Sequence, residues 1–297
     1  MSMSFHRRAG LTIALCFMMA SVAPAQDVQS DEVEIGEIPE DLDEVSRQLD
    51  NPLTGLWSLT LENKAFLREG KAAKDREFGN TLSFQPGLPI PLGANNEYVL
   101  ISRPVFTLVT NPVIDPTQKD GVDGRTTGFG DLQMLTLVGP NKKDGLVWGV
   151  GSTMKFPTAS DDDVGADKYQ IGPALMLFSL RRPWIVGALV QNWFSVAGKG
   201  NAKSTARTDL QYVIRYSLPN AWSIGMGPTL SIDWKAGNDD KVTLPVGLGI
   251  TKTIRVGSMP VKLRAEAHYS VIRPDTFGNE WTFIFRIAPV IPSPFAK

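Results

Sequence analysis

The sequence predicts an all-β protein: a transmembrane up-and-down antiparallel β-barrel of about twelve strands, preceded by a short helix. Three observations carry that reading. Apolar and polar residues alternate with period two through most of residues 55–291, the signature of strands with one apolar and one polar face. The connections between these runs alternate in length, as they do when tight turns gather at one rim and loops at the other. The polar faces carry charges while the apolar faces end in aromatics, as expected when lipid lies outside the barrel and water inside.

Composition narrows the alternatives. The 297 residues include one Cys and two His, too few for a disulfide framework or a zinc cluster, so no metal or cofactor is expected. A net charge of −1 excludes a nucleic-acid partner, which calls for a basic excess.

At the amino terminus, His6-Arg7-Arg8, the apolar run from Ala9 to Ala20 and Ala23-Pro24-Ala25 form the basic, apolar and small-residue parts of a secretory signal peptide over 1–25. The apolar run is too short to span a bilayer, which takes roughly 20 residues. Cys16 leaves with this segment. Residues 26–53 form an acidic periplasmic segment: within 27–50 there are ten acidic side chains and one basic one, Arg47. Pro39 followed by Glu40, Asp41, Asp43 and Glu44 suits a helix first turn. The spacing predicts a helix over 39–50 with Leu42, Val45 and Leu49 on one face and Pro52 as its stop. That face either docks as a plug or belongs to a solvated linker.

Residues 54–297 are the barrel, with a surplus of Lys and Arg that offsets the acidic segment. Strands are predicted near 55–63, 80–90, 97–109, 128–139, 146–157, 169–180, 184–196, 207–218, 221–235, 241–255, 260–273 and 280–291. Alternation is cleanest in 222–234, where Trp222, Ile224, Met226, Leu230, Ile232 and Trp234 oppose Ser223, Gly225, Thr229, Ser231 and Asp233. In 262–271, Leu263, Ala265, Ala267, Tyr269 and Val271 oppose Lys262, Arg264, Glu266, His268 and Ser270. A secreted two-sheet sandwich would share the alternation, but Greek-key connections would break the long–short loop pattern. Lys64, Arg68, Lys71, Lys74 and Arg76 read as a basic first loop.

The candidate functional surface is the lumen. Its expected lining is Arg103, Lys155, Asp209, Arg215, Asp233, Lys262, Arg264, Glu266, His268 and Arg286, with Leu42, Val45 and Leu49 as the plug face. Twelve strands lie between the filled eight-stranded barrel and the open sixteen-stranded pore. Two readings are open: a mildly cationic pore that favours anionic or polar solutes, or charges that pair across the wall and hold its shape. Expected partners are outer-membrane lipid and lipopolysaccharide, small solutes and, in a homo-oligomer, a second copy.

The motifs, in order, are Asn51-Pro52-Leu53, Ile101-Ser102-Arg103, Gly128-Phe129-Gly130-Asp131, Trp148-Gly149-Val150-Gly151, Phe156-Pro157-Thr158-Ala159, Gly172-Pro173, Gly187-Ala188-Leu189, Ser195-Val196-Ala197-Gly198, Asp233-Trp234, Leu244-Pro245-Val246 and Pro260-Val261. Together they span nearly all of 51–297. In this order the chain resembles the outer-membrane family named for the meta-pathway of phenol degradation, whose superfamily includes the secretion channel for functional amyloid. The resemblance implies a twelve-stranded outer-membrane transporter barrel and a plug helix just before the first strand, where 39–50 lies. The chain departs from the amyloid channel in having no room for a long periplasmic coiled coil.

Enzyme readings are weak. His268-x-Ser270 resembles the His-x-Ser pair of outer-membrane phospholipases, but both residues share the polar face with Arg264 and Glu266, whereas lipid chemistry needs them outward. The Asn-Gly expected after the Ser is replaced by Val271-Ile272. Asp161, Asp162, Asp163 and Asp167 suit either a divalent cation or a solvated acidic loop, the commoner case.

Overall fold

The computed structural model describes residues 38–297 apart from 116, 119, 120, 296 and 297. The proposed signal peptide and the acidic residues up to 37 lie outside the described residues. One helix, α1 (Leu42–Gln48), precedes the strands. These are β1 (Trp57–Glu69), β2 (Glu77–Leu92), β3 (Tyr98–Ile114), β4 (Val122–Phe129), β5 (Leu132–Pro140), β6 (Gly145–Phe156) and β7 (Lys168–Arg181). They continue as β8 (Trp184–Gly198), β9 (Ala206–Leu218), β10 (Trp222–Met226), β11 (Thr229–Asp233), β12 (Val242–Val256), β13 (Met259–Ile272) and β14 (Gly278–Ile291).

All pairings are antiparallel and follow sequence order, with β4 and β5 both paired to β3 and β10 and β11 both paired to β9 and β12, and β14 returns to β1 from Trp57↔Ile291 to Glu69↔Gly278. β4 and β5 are two parts of one wall strand, and so are β10 and β11; the wall is therefore a closed barrel of twelve strands. The observed strands run further toward the long loops than alternation alone indicated. Lys64 and Arg68 accordingly belong to β1 and not to a first loop. Of the other cations expected there, Lys71 pairs with Asp275 at 2.9 Å and Arg76 with Glu69 and Glu280 at 3.2 and 2.8 Å. The basic loop is thus a set of ion pairs that ties β1–β2 to β13–β14.

Large apolar side chains such as Phe106, Trp148, Leu175, Leu177, Trp184, Leu248, Phe283 and Phe285 are exposed on the outer wall. Inside, Phe178 packs over Gly187, its ladder partner, and a Cβ at 187 would stand 2.3 Å from the ring. The missing side chain is what lets the ring lie flat against the wall.

Both interruptions have local causes. Between β4 and β5, the Asp131 carboxylate accepts the N–H groups of Ala159 and Ala166 at 3.2 and 2.8 Å, so the 158–167 loop is sewn onto the strand break. Between β10 and β11, the pairs Gly225↔Gly249 and Ser231↔Thr243 keep one register, yet residues 226–230 have no ladder partners on β12. Pro228 and Pro245 lie in this stretch and have no N–H to give. Side chains fill in: the Tyr212 hydroxyl donates to the Pro245 carbonyl, and Gly227 N–H donates to Glu266 at 3.1 Å.

Helix α1 is shorter than the 39–50 expected. Asp41 caps it, accepting Asp43 N–H at 3.1 Å, so Pro39 and Glu40 lie ahead of the helix rather than in its first turn. Asp43 and Glu44 take the first turn, where the dipole favours them. At the other end Asp50 and Asn51 already form a turn onto Arg47 and Gln48.

Replacing Gly187 by Val should overpack the Phe178 contact and lower barrel stability by about 1–3 kcal/mol, read as an earlier midpoint in urea titration of the protein refolded into detergent. An unchanged midpoint would contradict the packing described.

Candidate functional site

The ladder places polar residues at one level of the inner wall. Thr107, Ser83, Glu62, Arg286, Arg264, Thr251, Ser223 and Ser217 are successive cross-strand partners from β3 through β2, β1, β14, β13, β12 and β10 to β9. Arg264 and Arg286 stand directly opposite one another, a repulsive placement that neighbouring carboxylates offset. Glu62, buried, holds Arg286 and also Lys64 at 3.1 Å. The Arg103 guanidinium lies beside this pair with its Nε unpartnered. Glu266 receives Arg215 at 2.8 Å and His268 at 2.8 Å, and Arg264 approaches it at 3.6 Å. Ser270 is buried on the same face.

Nearer the long loops, Asp209 accepts from Arg207 at 2.8 and 2.7 Å, Trp193 Nε1 at 3.0 Å and Ser231 at 2.6 Å. Lys155 Nζ sits 5.3 Å from the Trp193 ring centroid. Asp233 stands at the rim, accepting Lys235 N–H at 2.9 Å. It borders a cavity of about 360 Å³ together with Asp162, Asp167, Lys203 and Thr205. Lys199 bridges Asp162 at 2.8 Å and Asp167 at 3.0 Å. That hydrogen bond holds the Asp162 carboxyl below its ordinary range and raises Lys199. Among the described residues no group of three or more His, Cys, Asp or Glu is placed to hold a metal ion.

The opposite inner wall is different. Val99, Ile101, Leu135, Leu137, Val147, Ala174, Met176, Phe178, Leu180, Ile185 and Leu189, from β3 and β5–β8, form a buried apolar cluster. The lumen is therefore two-sided. Alternation over-predicted its polarity because β7, Lys168–Arg181 with sequence KYQIGPALMLFSLR, is apolar at both parities over most of its length. That loss of period two was the available signal.

The segment before β1 touches both sides. Val45 is buried with Leu56 and Val290, and Leu49 packs against them; Leu42 is half-buried. Asp50 turns into the charged side, where its Oδ1 meets Lys262 Nζ at 2.6 Å, Arg264 Nη2 at 3.8 Å and Arg215 Nε at 4.0 Å. Burial opposes ionisation of Asp50, yet Lys262, Arg215 and Arg264 together hold its carboxyl below the usual range. Lys262 also donates to Ser46 O at 3.0 Å. Three residues on, Leu53 is 1% exposed and joins the apolar cluster. It lies so close to β5 that a Cβ at Gly139 would stand 2.4 Å from it. Asn51 fixes the turn between them, accepting Leu53 N–H at 2.9 Å and donating to Lys142 O at 2.8 Å.

A closed antiparallel barrel with an apolar outer belt and charges within is the architecture of bacterial outer-membrane proteins. The chain is an outer-membrane β-barrel. Its short turns therefore mark the periplasmic rim and its long loops the outer face. An outer-membrane channel from Pseudomonas putida F1 is similar in structure, with a TM-score of 0.55 over 88% of this chain and 99% of that one at 12% identity. The β domain of a Bordetella autotransporter aligns with a TM-score of 0.41 at 14% identity, over 78% of this chain and 98% of that one. A monoaromatic hydrocarbon channel aligns with a TM-score of 0.38 at 9% identity, over 82% and 92%. No protein-family model and no curated protein sequence matches the chain.

Sequence reasoning missed Glu62, Arg207, Trp193 and Asp50 as members of this network. For Glu62 the signal was present: Leu59 and Leu61 alternate with Thr60 and Glu62, but a first strand ending at 63 left Lys64 in a loop and hid the pair. Exchanging Glu62 for Gln leaves Arg286 without its buried counter-ion, and should cost about 3 kcal/mol in urea unfolding. Adding Arg286→Met should recover part of that loss. If the single and double variants unfold alike, the pair is not the source of the stability.

Proposed function

We propose that this barrel is a passive outer-membrane channel for small solutes, with a lumen closed from the periplasmic side by residues 38–53 acting as a plug. The observation that carries this is the double anchoring of the segment, with Asp50 on Lys262 at 2.6 Å and Leu53 in the apolar cluster of the far wall. Contacts to two opposite walls obstruct a bore; contacts to one wall would only line it. The two contacts inside the bore are an ion pair and an aliphatic side chain, both reversible in kind. Arg255, which donates to Glu40 O at 2.6 Å, and Arg182, which donates to Asp43 O at 2.9 Å, tether α1 at the rim. The two-sided lumen supports passage of molecules that carry both a polar and an apolar part. The ordered motifs from Asn51-Pro52-Leu53 to Pro260-Val261 support kinship with the family named for the meta-pathway of phenol degradation.

A non-conducting structural barrel is the second reading, favoured by the extent of charge pairing across the inner wall. Planar-bilayer recording separates the two. Removal of residues 27–50 from the mature chain should raise single-channel conductance several-fold, and Asp50→Asn should lengthen openings without changing their size. Equal, closed traces from all three proteins would reject the plug and leave the structural reading.

A further inference from the structure

The anchoring of Asp50 is chemically incomplete. Lys262, Arg264 and Arg215 all address the same oxygen, Oδ1, and the two arginines stand at 3.8 and 4.0 Å, beyond hydrogen-bond range. The Nε donors of Arg215 and Arg264 are buried and have no hydrogen-bond partner. Arg215 is 1% exposed, so no bulk water reaches it. Glu266 takes the Nη2 group of Arg215 at 2.8 Å, which leaves the Nε edge turned toward Asp50. A buried guanidinium edge of this kind is unfavourable unless an acceptor completes it. The short aspartate stem, held by its own turn, cannot bring both oxygens forward. A carboxylate free of that stem can, and Arg–carboxylate pairs are strongest when bidentate.

From this we propose that Asp50 and Leu53 occupy a binding site for a small monocarboxylate with a compact apolar body, and that such a molecule enters by displacing them. Its carboxylate would take Lys262, the Nε edge of Arg215 and the Nη2 group of Arg264, the three groups that face Asp50 Oδ1. Its apolar part would take the place of Leu53 against Val99, Leu137, Val147 and Met176. The internal pair imitates the ligand, carboxylate on one wall and isobutyl group on the other, so an empty channel stays shut and a fitting solute competes with the plug for both surfaces. This rests on the plug reading above, and it adds the class of molecule that releases it.

The experiment uses the full-length mature protein in planar bilayers and in nanodiscs, with hexanoate, acetate, hexanol and hexylamine as probes at neutral pH. Hexanoate should increase open probability several-fold at millimolar concentration, whereas acetate lacks the apolar half and hexanol and hexylamine lack the anion. By calorimetry, hexanoate should bind Asp50→Asn about tenfold more tightly than wild type, since the internal competitor is gone. Lys262→Met should abolish the difference between hexanoate and hexanol. Equal effects of hexanol or hexylamine and hexanoate overturn the carboxylate assignment, and equal effects of acetate overturn the apolar half. If removal of 27–50 opens the pore but no probe binds or gates wild type, this inference fails while the plug stands. If removal has no effect, the plug itself fails. The probe series on wild type decides the matter even where a variant does not fold.

Discussion

Everything in this molecule depends on the ladder between β1 and β14. Hydrocarbon offers no hydrogen bonds, so a sheet that crosses a membrane must leave no edge. The chain meets that demand by bringing Trp57–Glu69 against Gly278–Ile291, more than two hundred positions apart in sequence. Closure then dictates the rest. With the outside given to lipid, every second side chain must fit into a bore of twelve strands. Those side chains have to satisfy one another there. The one stretch where the wall lacks ladder bonds, opposite Pro228 and Pro245, shows the same constraint at work. There a tyrosine hydroxyl and a glutamate stand in for the missing backbone partners.

Period two made the fold legible. Alternation located all twelve wall strands, with limits that differ from the observed ones by up to six residues on the long-loop side, because lipid outside and polar groups inside write themselves directly into the parity of each strand. It put Lys262, Arg264, Glu266 and His268 on one face of β13 for the same reason, by counting alone. What it could not reveal was whom each charge meets. Glu62 and Arg286 lie more than two hundred residues apart, and only closure makes them partners. The apolar half of the lumen was illegible for the opposite reason. Where both faces of a strand are apolar, as in β7, parity carries no information, and inside cannot be told from outside. Asp50 was hidden differently, since nothing local distinguishes it from the other carboxylates of an acidic stretch.

The two halves also explain why the segment before β1 is ordered where it is. Helix α1 is too short to be stable alone, and its single buried valine supplies little area. Its position is set by the residues between it and β1. Asp50 and Leu53 are separated by one turn, stapled by Asn51, and that turn spans from a cationic wall to an aliphatic one. A segment with only charges or only apolar residues would have settled on one side.

The unequal distribution of charge around the bore has an electrical consequence. Ion pairs built on Lys262, Arg264 and Arg286 gather on the β12–β14 side, while toward the short turns the β5–β8 side offers mainly hydrocarbon. The electrostatic environment inside the barrel therefore varies across it as well as along it, and low-dielectric walls strengthen the difference. The bore is then less a uniform tube than a two-sided slit, charged along one side and aliphatic along the other.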